Sequence, residues 1–382
     1  MTDGRPDEYR LIEDSAALAA AARRMARQKE IAFDLEADSM YHFREKVCLI
    51  QMATAHETVV IDPLKVTDLS PLKPLMANHR IRKVLHGADY DIRSLYRDFG
   101  IAVNQLFDTE LASRFLGIRE TGLDAVLQAR FDIALDKKFQ RKDWSKRPLP
   151  EPMMAYAAGD VRYLLPLAAI LTEELRAKNR LSWVREECDL LSQVRPPEAE
   201  DRPLFLNFKG AGRLQRRNLA ALEALLQLRR RMAEAKDRPL FKVFSNKSLL
   251  TLAARMPASF PSLERTGALS PKQVKMHGNA LLAAIRSVEE LPEKALPVYP
   301  RRKTPRMPAR VPERMAALKA WRDRKAESLD LDPGLMLNKA LMQAVAVRHP
   351  QTLAELETVP DLHRWRRKVL GREIVDIMKR VR

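Results

Sequence analysis

Three short runs, Ile31–Glu36 (IAFDLE), Val47–Ala53 (VCLIQMA) and Thr58–Asp62 (TVVID), constrain the fold of this chain more than any other feature. Each is rich in apolar and β-branched residues and is bounded by polar or turn residues, the pattern of a strand. They follow closely on one another, which predicts an antiparallel meander. A fourth strand is predicted at Arg82–His86. It leads into a helix over Tyr90–Phe99 with Ile92, Leu95, Tyr96 and Phe99 on its apolar side. Helices are also expected over Asp108–Leu116, Gly122–Phe131 and Pro152–Leu175. Residues 1–195 therefore read as an α/β domain with a mixed sheet.

The pattern changes after that point. Residues 196–212, next to Arg195-Pro196-Pro197 and holding Gly210 and Gly212, read as a linker. Residues 213–291 look all-helical, with helices at Leu219–Ala235, Ser248–Arg255, Ser259–Thr266 and Pro271–Glu290. A second linker, 292–310, is proline-rich and carries Arg301-Arg302-Lys303. Helices then resume over 311–382, at Glu313–Ser328, Asn338–Arg348, Leu353–Glu357 and Leu362–Arg380. The two helical segments echo each other: in each, a long Arg-bearing helix precedes a helix that ends at a proline, then a short helix and a final basic helix. This predicts a tandem duplication of one small helical module.

Charge separates the halves. Of 68 Lys+Arg and 50 Asp+Glu, residues 201–382 hold 38 and 18, leaving 30 and 32 for residues 1–200. A basic excess confined to the second half favours an extended polyanion as partner over a merely solvated surface. The two cysteines, Cys48 and Cys188, supply neither a disulfide framework nor a Cys-rich metal site. The polar N-terminus lacks the pattern of a secretion signal. Charge is expected to interrupt every apolar stretch before membrane-spanning length. A cytoplasmic monomer with no membrane partner is the plain expectation.

The candidate chemistry begins on the first strand. Asp34 and Glu36 lie two apart, so both carboxylates project from one face while Phe33 and Leu35 enter the core. A divalent cation relieves their repulsion, and oxygen ligands suit Mg²⁺ or Mn²⁺; an ordinary solvated strand face is the plainer alternative. Asp91 falls in the first turn of the next helix. Asp89 competes for that role, but as a helix cap it would be occupied by backbone N–H groups. Tyr156 and Asp160 are four apart, hence stacked on one helix face, with small Ala157, Ala158 and Gly159 between them. His86 and Gln51 read as structural. Lys142, Trp144, Lys146 and Arg147 either grip a nucleic-acid strand or form a loop pinned by a buried Trp144. Arg229, Arg230 and Arg231, and Arg364, Arg366, Arg367 and Lys368, are candidate phosphate contacts.

Asp34-x-Glu36, then His86 to Ile92, then Tyr156-x₃-Asp160, in that order, resembles the tyrosine-bearing branch of the DEDD exonuclease superfamily. The stretches Phe107–Gly117 and Asp143–Leu149 are similar to ribonuclease D sequences, and residues 213–291 to the helicase-and-RNase-D C-terminal (HRDC) domain. Residues 311–382 look like a second, diverged copy. No GxxxxGK[ST] loop occurs, which removes a helicase reading. The resemblance implies a ribonuclease H-like α/β domain and a 3′→5′ exoribonuclease releasing nucleoside 5′-monophosphates. It implies two divalent cations on Asp34, Glu36, Asp91 and Asp160, and a water oriented by Tyr156. RNA, in particular tRNA precursors with 3′ extensions, is the implied substrate. A DNA exonuclease and an inactive RNA-binding scaffold remain open alternatives, since contacts to a 2′-OH are not legible in these motifs.

Overall fold

A computed structural model describes residues 9–66, 68–197, 202–300 and 308–381. The basic cluster at 301–303 lies outside them. The chain divides into two compact units. One combines Met1–Ala37, Val47–Pro196 and Thr304–Arg382; the other combines Asp38–Lys46 with Pro197–Lys303.

The first unit is built on a six-stranded mixed sheet of order β1-β4-β3-β2-β5-β6. Its strands are β1 (Arg10–Ile12), β2 (Glu30–Ala37), β3 (Val47–Ala53), β4 (Thr58–Ile61), β5 (Arg82–Leu85) and β6 (Leu106–Asp108). The expected meander is β2–β3–β4, antiparallel throughout; β1, β5 and β6 add parallel partners. Ile31, Phe33 and Leu35 of β2 are buried on one face with Ile50 and Met52 of β3. Helices α1 (Ser15–Met25), α2 (Leu72–Ala77), α3 (Asp89–Phe99), α4 (Thr109–Leu116), α5 (Leu123–Phe131), α6 (Glu151–Arg162), α7 (Leu164–Ala177) and α8 (Leu181–Leu191) complete the domain.

Two expectations are corrected here. The helix predicted over Pro152–Leu175 is two helices, parted at Tyr163. Pro166 explains the break, because its ring lacks an N–H and crowds the carbonyl of Arg162 one turn back. The apolar stretches are also longer than expected. Residues Glu151–Ala177 are long and apolar enough to cross a membrane, yet 56% of their most apolar part is buried inside the protein. A core helix pair accounts for it.

The final helical module, α14 (Val311–Leu329), α15 (Pro333–Met336), α16 (Lys339–Arg348), α17 (Leu353–Glu357) and α18 (Arg364–Arg380), shares one continuous hydrophobic core with the sheet domain. Trp365 of α18 stacks on Trp183 of α8 with ring centroids 4.8 Å apart and meets Phe115 edge-on at 5.5 Å. Its indole N–H donates to Glu187 at 2.6 Å. Arg366 pairs with the same Glu187 and donates to the carbonyls of Met336 and Leu335, each at 2.9 Å. It is buried, which corrects its reading as a phosphate contact: a charge taken out of water needs these partners. Gly117 fits the same seam. Its φ of +92° and the Asp330 carbonyl, 2.5 Å from where a Cβ would stand, both exclude a side chain.

The second unit packs α9 (Arg216–Ala235), α10 (Leu240–Val243), α11 (Asn246–Arg255), α12 (Phe260–Arg265) and α13 (Pro271–Arg286) around Leu222, Leu225, Leu249, Leu252 and Leu281. It includes the β2–β3 loop, where His42 lies 2.6 Å from Asp237 and Lys242 sits over the Tyr41 ring. Its five helices match those of the final module one for one. Ser245 and Asn338 cap α11 and α16; Met256 and His349 end them in the left-handed conformation, each before a proline; Ser259 and Thr352 cap α12 and α17. The predicted duplication is thus visible in the caps. Arg229 is buried and donates to Phe244 O at 3.1 Å and Asn246 Oδ1 at 2.7 Å, so it buttresses α9 and is not a phosphate contact. Arg230 and Arg231 are exposed.

Truncating a buried tryptophan typically costs about 3–5 kcal/mol. Trp365→Ala is therefore expected to destabilise the first unit by that amount, read as a lowered midpoint in chemical denaturation followed by tryptophan fluorescence. An unchanged midpoint would show that the final module is an appendage.

Candidate active site

Three parts of the first unit bring acids together. In β2, Asp34 pairs across the sheet with Gln51 of β3, and Glu36 with Leu49. Directly opposed residues share a face, so Asp34, Glu36, Gln51 and Leu49 all lie on the face opposite Phe33. A register shift follows immediately after Glu36, ending regular pairing there.

Asp91 arrives from the end of β5. The turn into α3 is fixed by Asp108, whose carboxylate accepts from Gly87 N at 3.0 Å and Ala88 N at 2.8 Å. It also caps α4 through Glu110 N at 2.8 Å and Leu111 N at 3.2 Å. Asp108 was missed as an organising residue because its partners lie on both sides of a sheet crossover. Asp91 is 6% exposed. Asp89 does not cap α3: the cap position is Ala88, and the Asp89 carboxylate pairs with Arg93 at 2.7 Å near the surface. His86 Nδ1 lies 2.9 Å from Thr109 Oγ1, whose hydroxyl hydrogen is donated to Leu85 O. The imidazole then acts as the donor and ties β5 to α4. Burial lowers its pKa.

Helix α6 packs on β2, β3 and β4 and supplies Tyr156 and Asp160. Its footing is a small core of Leu49, Val60, Met153, Met154, Ala157 and Ala158. Tyr156 is clamped by Phe139 and Trp144, at centroid distances of 5.7 and 6.2 Å. Trp144 has 0% exposure, so it pins its loop and offers no face to a base. Arg147 is likewise committed: it donates to Asp62 at 2.6 and 2.7 Å and to the carbonyls of Trp144 and Cys48. Both are corrected to structural roles. Lys142 and Lys146, from the same loop, are exposed.

The acids perturb one another. Glu36 is raised to about 10 by burial and by the charges of Asp34, Asp160 and Asp91. Asp160 rises to about 8 through burial and Asp34, against a hydrogen bond from Tyr156. Asp34 rises to about 6 by burial, and Asp91 rises well above its ordinary value through burial, Asp34 and Asp108. The Tyr156 phenol is pushed far up by burial and by Asp160, Glu36 and Asp34. Among the described residues, no three Asp, Glu, His or Cys side chains stand close enough to form a ready cation cage. The carboxylates act on one another electrostatically without forming such a cage.

The donor set fits a hard divalent cation. Carboxylates in a desolvated patch gain most from positive charge, and oxygen ligands suit Mg²⁺ and Mn²⁺. Both polar atoms of the Gln51 side chain, fully buried opposite Asp34, lack a hydrogen-bond partner. Such an orphaned amide on the carboxylate face suits a site that takes up hydrated ions.

Comparison with known proteins agrees with this architecture. The 3′-5′ exonuclease family matches residues 9–176, and the HRDC domain family matches twice, at residues 218–285 and 312–378. The chain is 31% identical over 379 residues to ribonuclease D of Pseudomonas paraeruginosa, covering 97% of this chain and 98% of that one. It is 33% identical over 290 residues to ribonuclease D of Escherichia coli, covering 76% and 77%. The crystal structure of Escherichia coli RNase D superposes with a TM-score of 0.73 at 28% identity, over 98% of this chain and 99% of that chain. With the sheet domain, both helical modules and these relatives in agreement, the chain belongs to the ribonuclease D family of 3′–5′ exoribonucleases.

Proposed function

We propose that Asp34, Glu36, Asp91 and Asp160 hold two divalent cations, Mg²⁺ or Mn²⁺, and that with Tyr156 they hydrolyse RNA from its 3′ end, one nucleoside 5′-monophosphate at a time. The observation that carries this reading is the mutual electrostatic coupling of acids from β2, α3 and α6. The family's general dependence on divalent metals supports it. When bound, a pair of such ions supplies positive charge to the attacking water and to the departing 3′-oxygen.

The chain's own residues do the rest. The strand face holds Asp34 and Glu36 rigidly, and the Asp108-braced turn holds Asp91. Tyr156 stays protonated at any working pH, because burial and three neighbouring carboxylates oppose its ionisation. That makes it a poor base. Its phenol, beside Asp160 and Gln140, is placed to orient water by hydrogen bonding. In the reaction, water oxygen bonds to phosphorus, the bond from phosphorus to the 3′-oxygen breaks, and a proton ends on that oxygen. Lys142, Lys146, Arg230 and Arg231, all exposed, are the proposed phosphate contacts. The E. coli relative of known structure is described as an exoribonuclease involved in structured RNA processing. By analogy, the proposed substrates are tRNA precursors bearing single-stranded 3′ tails.

A 5′-labelled RNA of defined length, incubated with Mg²⁺, Mn²⁺ or chelator, is expected to shorten stepwise only with metal. Asp34→Asn should slow release by more than ~100-fold, beyond what loss of an outer-shell partner costs. Tyr156→Phe should slow it by roughly 10- to 100-fold while leaving Mn²⁺ binding, read by calorimetry, unchanged. Unaltered release by Asp34→Asn would remove the site assignment, and faster shortening of a matched DNA would turn the substrate reading to DNA.

The raised carboxyl pKa values make a second prediction. The folded state keeps protons that the unfolded chain loses near pH 4, so metal-free stability falls as pH rises from about 4 through 6 and 8, towards 10. Chemical denaturation in chelator at pH 5 and pH 8 should show lower stability at pH 8. Glu36→Gln should flatten this slope. Apparent Mn²⁺ affinity should rise over the same interval, since the ligands must be deprotonated. A flat or rising metal-free profile in the unsubstituted protein would contradict the crowding of these acids.

A further inference from the structure

A cleft of about 740 Å³ opens where β2, β5 and β6 begin, lined among others by Lys29, Arg80, Arg82, Phe107 and Arg185. This is the end of these strands away from the candidate active site. Lys29 immediately precedes β2, and Asp34 lies four residues beyond Glu30, roughly 13 Å at the usual strand rise. β5 runs parallel to β2, so Asp91, beyond its far end, is also remote. We propose that this cleft is a second RNA-binding site, which holds backbone phosphates of a single-stranded segment away from the reacting end.

The floor is preorganised. The Arg82 guanidinium lies over the Phe107 ring, 5.1 Å from its centroid, and is oriented by Glu30 at 3.0 Å and Thr172 Oγ1 at 3.1 Å. The Arg82 charge is answered by Glu30 and its N–H groups are engaged, so it offers a nucleotide a flat surface for a base while the rim supplies the charge for phosphate. On the rim, Lys29, Arg80 and Arg185 are exposed and make no ion pair among the described residues, whereas the lining contributes one carboxylate, Asp189. This excess stands in a half of the chain where acids slightly outnumber bases, so it is not the general basicity of the C-terminal half. Gln105, also in the lining, holds a left-handed φ of +56°, a conformation that a non-glycine residue adopts at some cost and that clusters at ligand sites. The size lies within the ~300–1,000 Å³ of ligand clefts.

The inference takes its ligand class from the ribonuclease reading but needs none of its carboxylates, and the test keeps them apart. Full-length protein and the Lys29→Gln/Arg80→Gln/Arg185→Gln variant are titrated with a labelled 20-nucleotide single-stranded RNA in chelator at several salt concentrations. RNA length is checked on a gel afterwards, so that metal-independent cleavage is seen separately. Three lost phosphate contacts should lower the slope of log K against log[salt] by about two units, at ~0.7 per contact for single strands. Hydrolysis of a tetranucleotide, too short to reach the cleft, should be unchanged, as should the melting temperature. A parallel titration with adenosine 5′-monophosphate separates the two sources of phosphate: weakening with RNA alone assigns the chain, and weakening with both assigns single nucleotides as well. Equal slope and affinity for the variant and the unsubstituted protein overturn the proposal.

Discussion

Four carboxylates compete for one desolvated patch, and the first unit is organised around keeping them there. Burial raises every one of them, and repulsion adds to it for Asp91, Asp160 and most plainly Glu36, which has three acidic neighbours. A cluster that disfavours its own ionisation is a standing destabilisation, and such strain persists only where surrounding structure over-determines it. The bracing is visible on each side. Asp108 ties two backbone N–H groups of the α3 turn to two at the start of α4, α6 stands on its own apolar footing, and a fully buried Trp144 wedges the loop ahead of it.

The same bracing explains why so many cations point inward. Arg147 with Asp62, Arg366 with Glu187, and Arg229 with Asn246 are partnered by carboxylates, side-chain amides or backbone carbonyls. Each fixes a loop or helix against its neighbour. The uncommitted cations, Lys29, Arg80, Lys142, Lys146, Arg185, Arg230 and Arg231 among them, lie at the surface, free of such structural duty. Burial thus sorts one residue type into two jobs.

Alternation and helical spacing made the central strands, the shared face of Asp34 and Glu36, and the stacking of Tyr156 over Asp160 readable from sequence, because these depend on neighbours two or four residues away. β1 and β6, three residues each, were invisible because they exist only through pairing with distant strands. The inward turn of Arg229 and Arg366 was also hidden: Arg229-Arg230-Arg231 is locally a polar run, and only tertiary packing selects the member that enters the core. The break at Tyr163 was legible in Pro166 but was outweighed by the apolar run around it. Asp89 looked like a cap because its type and position were right, while the backbone placed the cap one residue earlier.

The seam between α8 and α18 also bears on how the molecule comes into being. Phe115 and Trp183 precede Trp365 by a long stretch of chain, yet the three rings form one cluster. A nuclease domain synthesised ahead of α18 leaves Phe115 and Trp183 uncovered until that helix docks. Its core is therefore completed only once α18 has been made, and a chain cut short before α18 would expose an apolar patch prone to association.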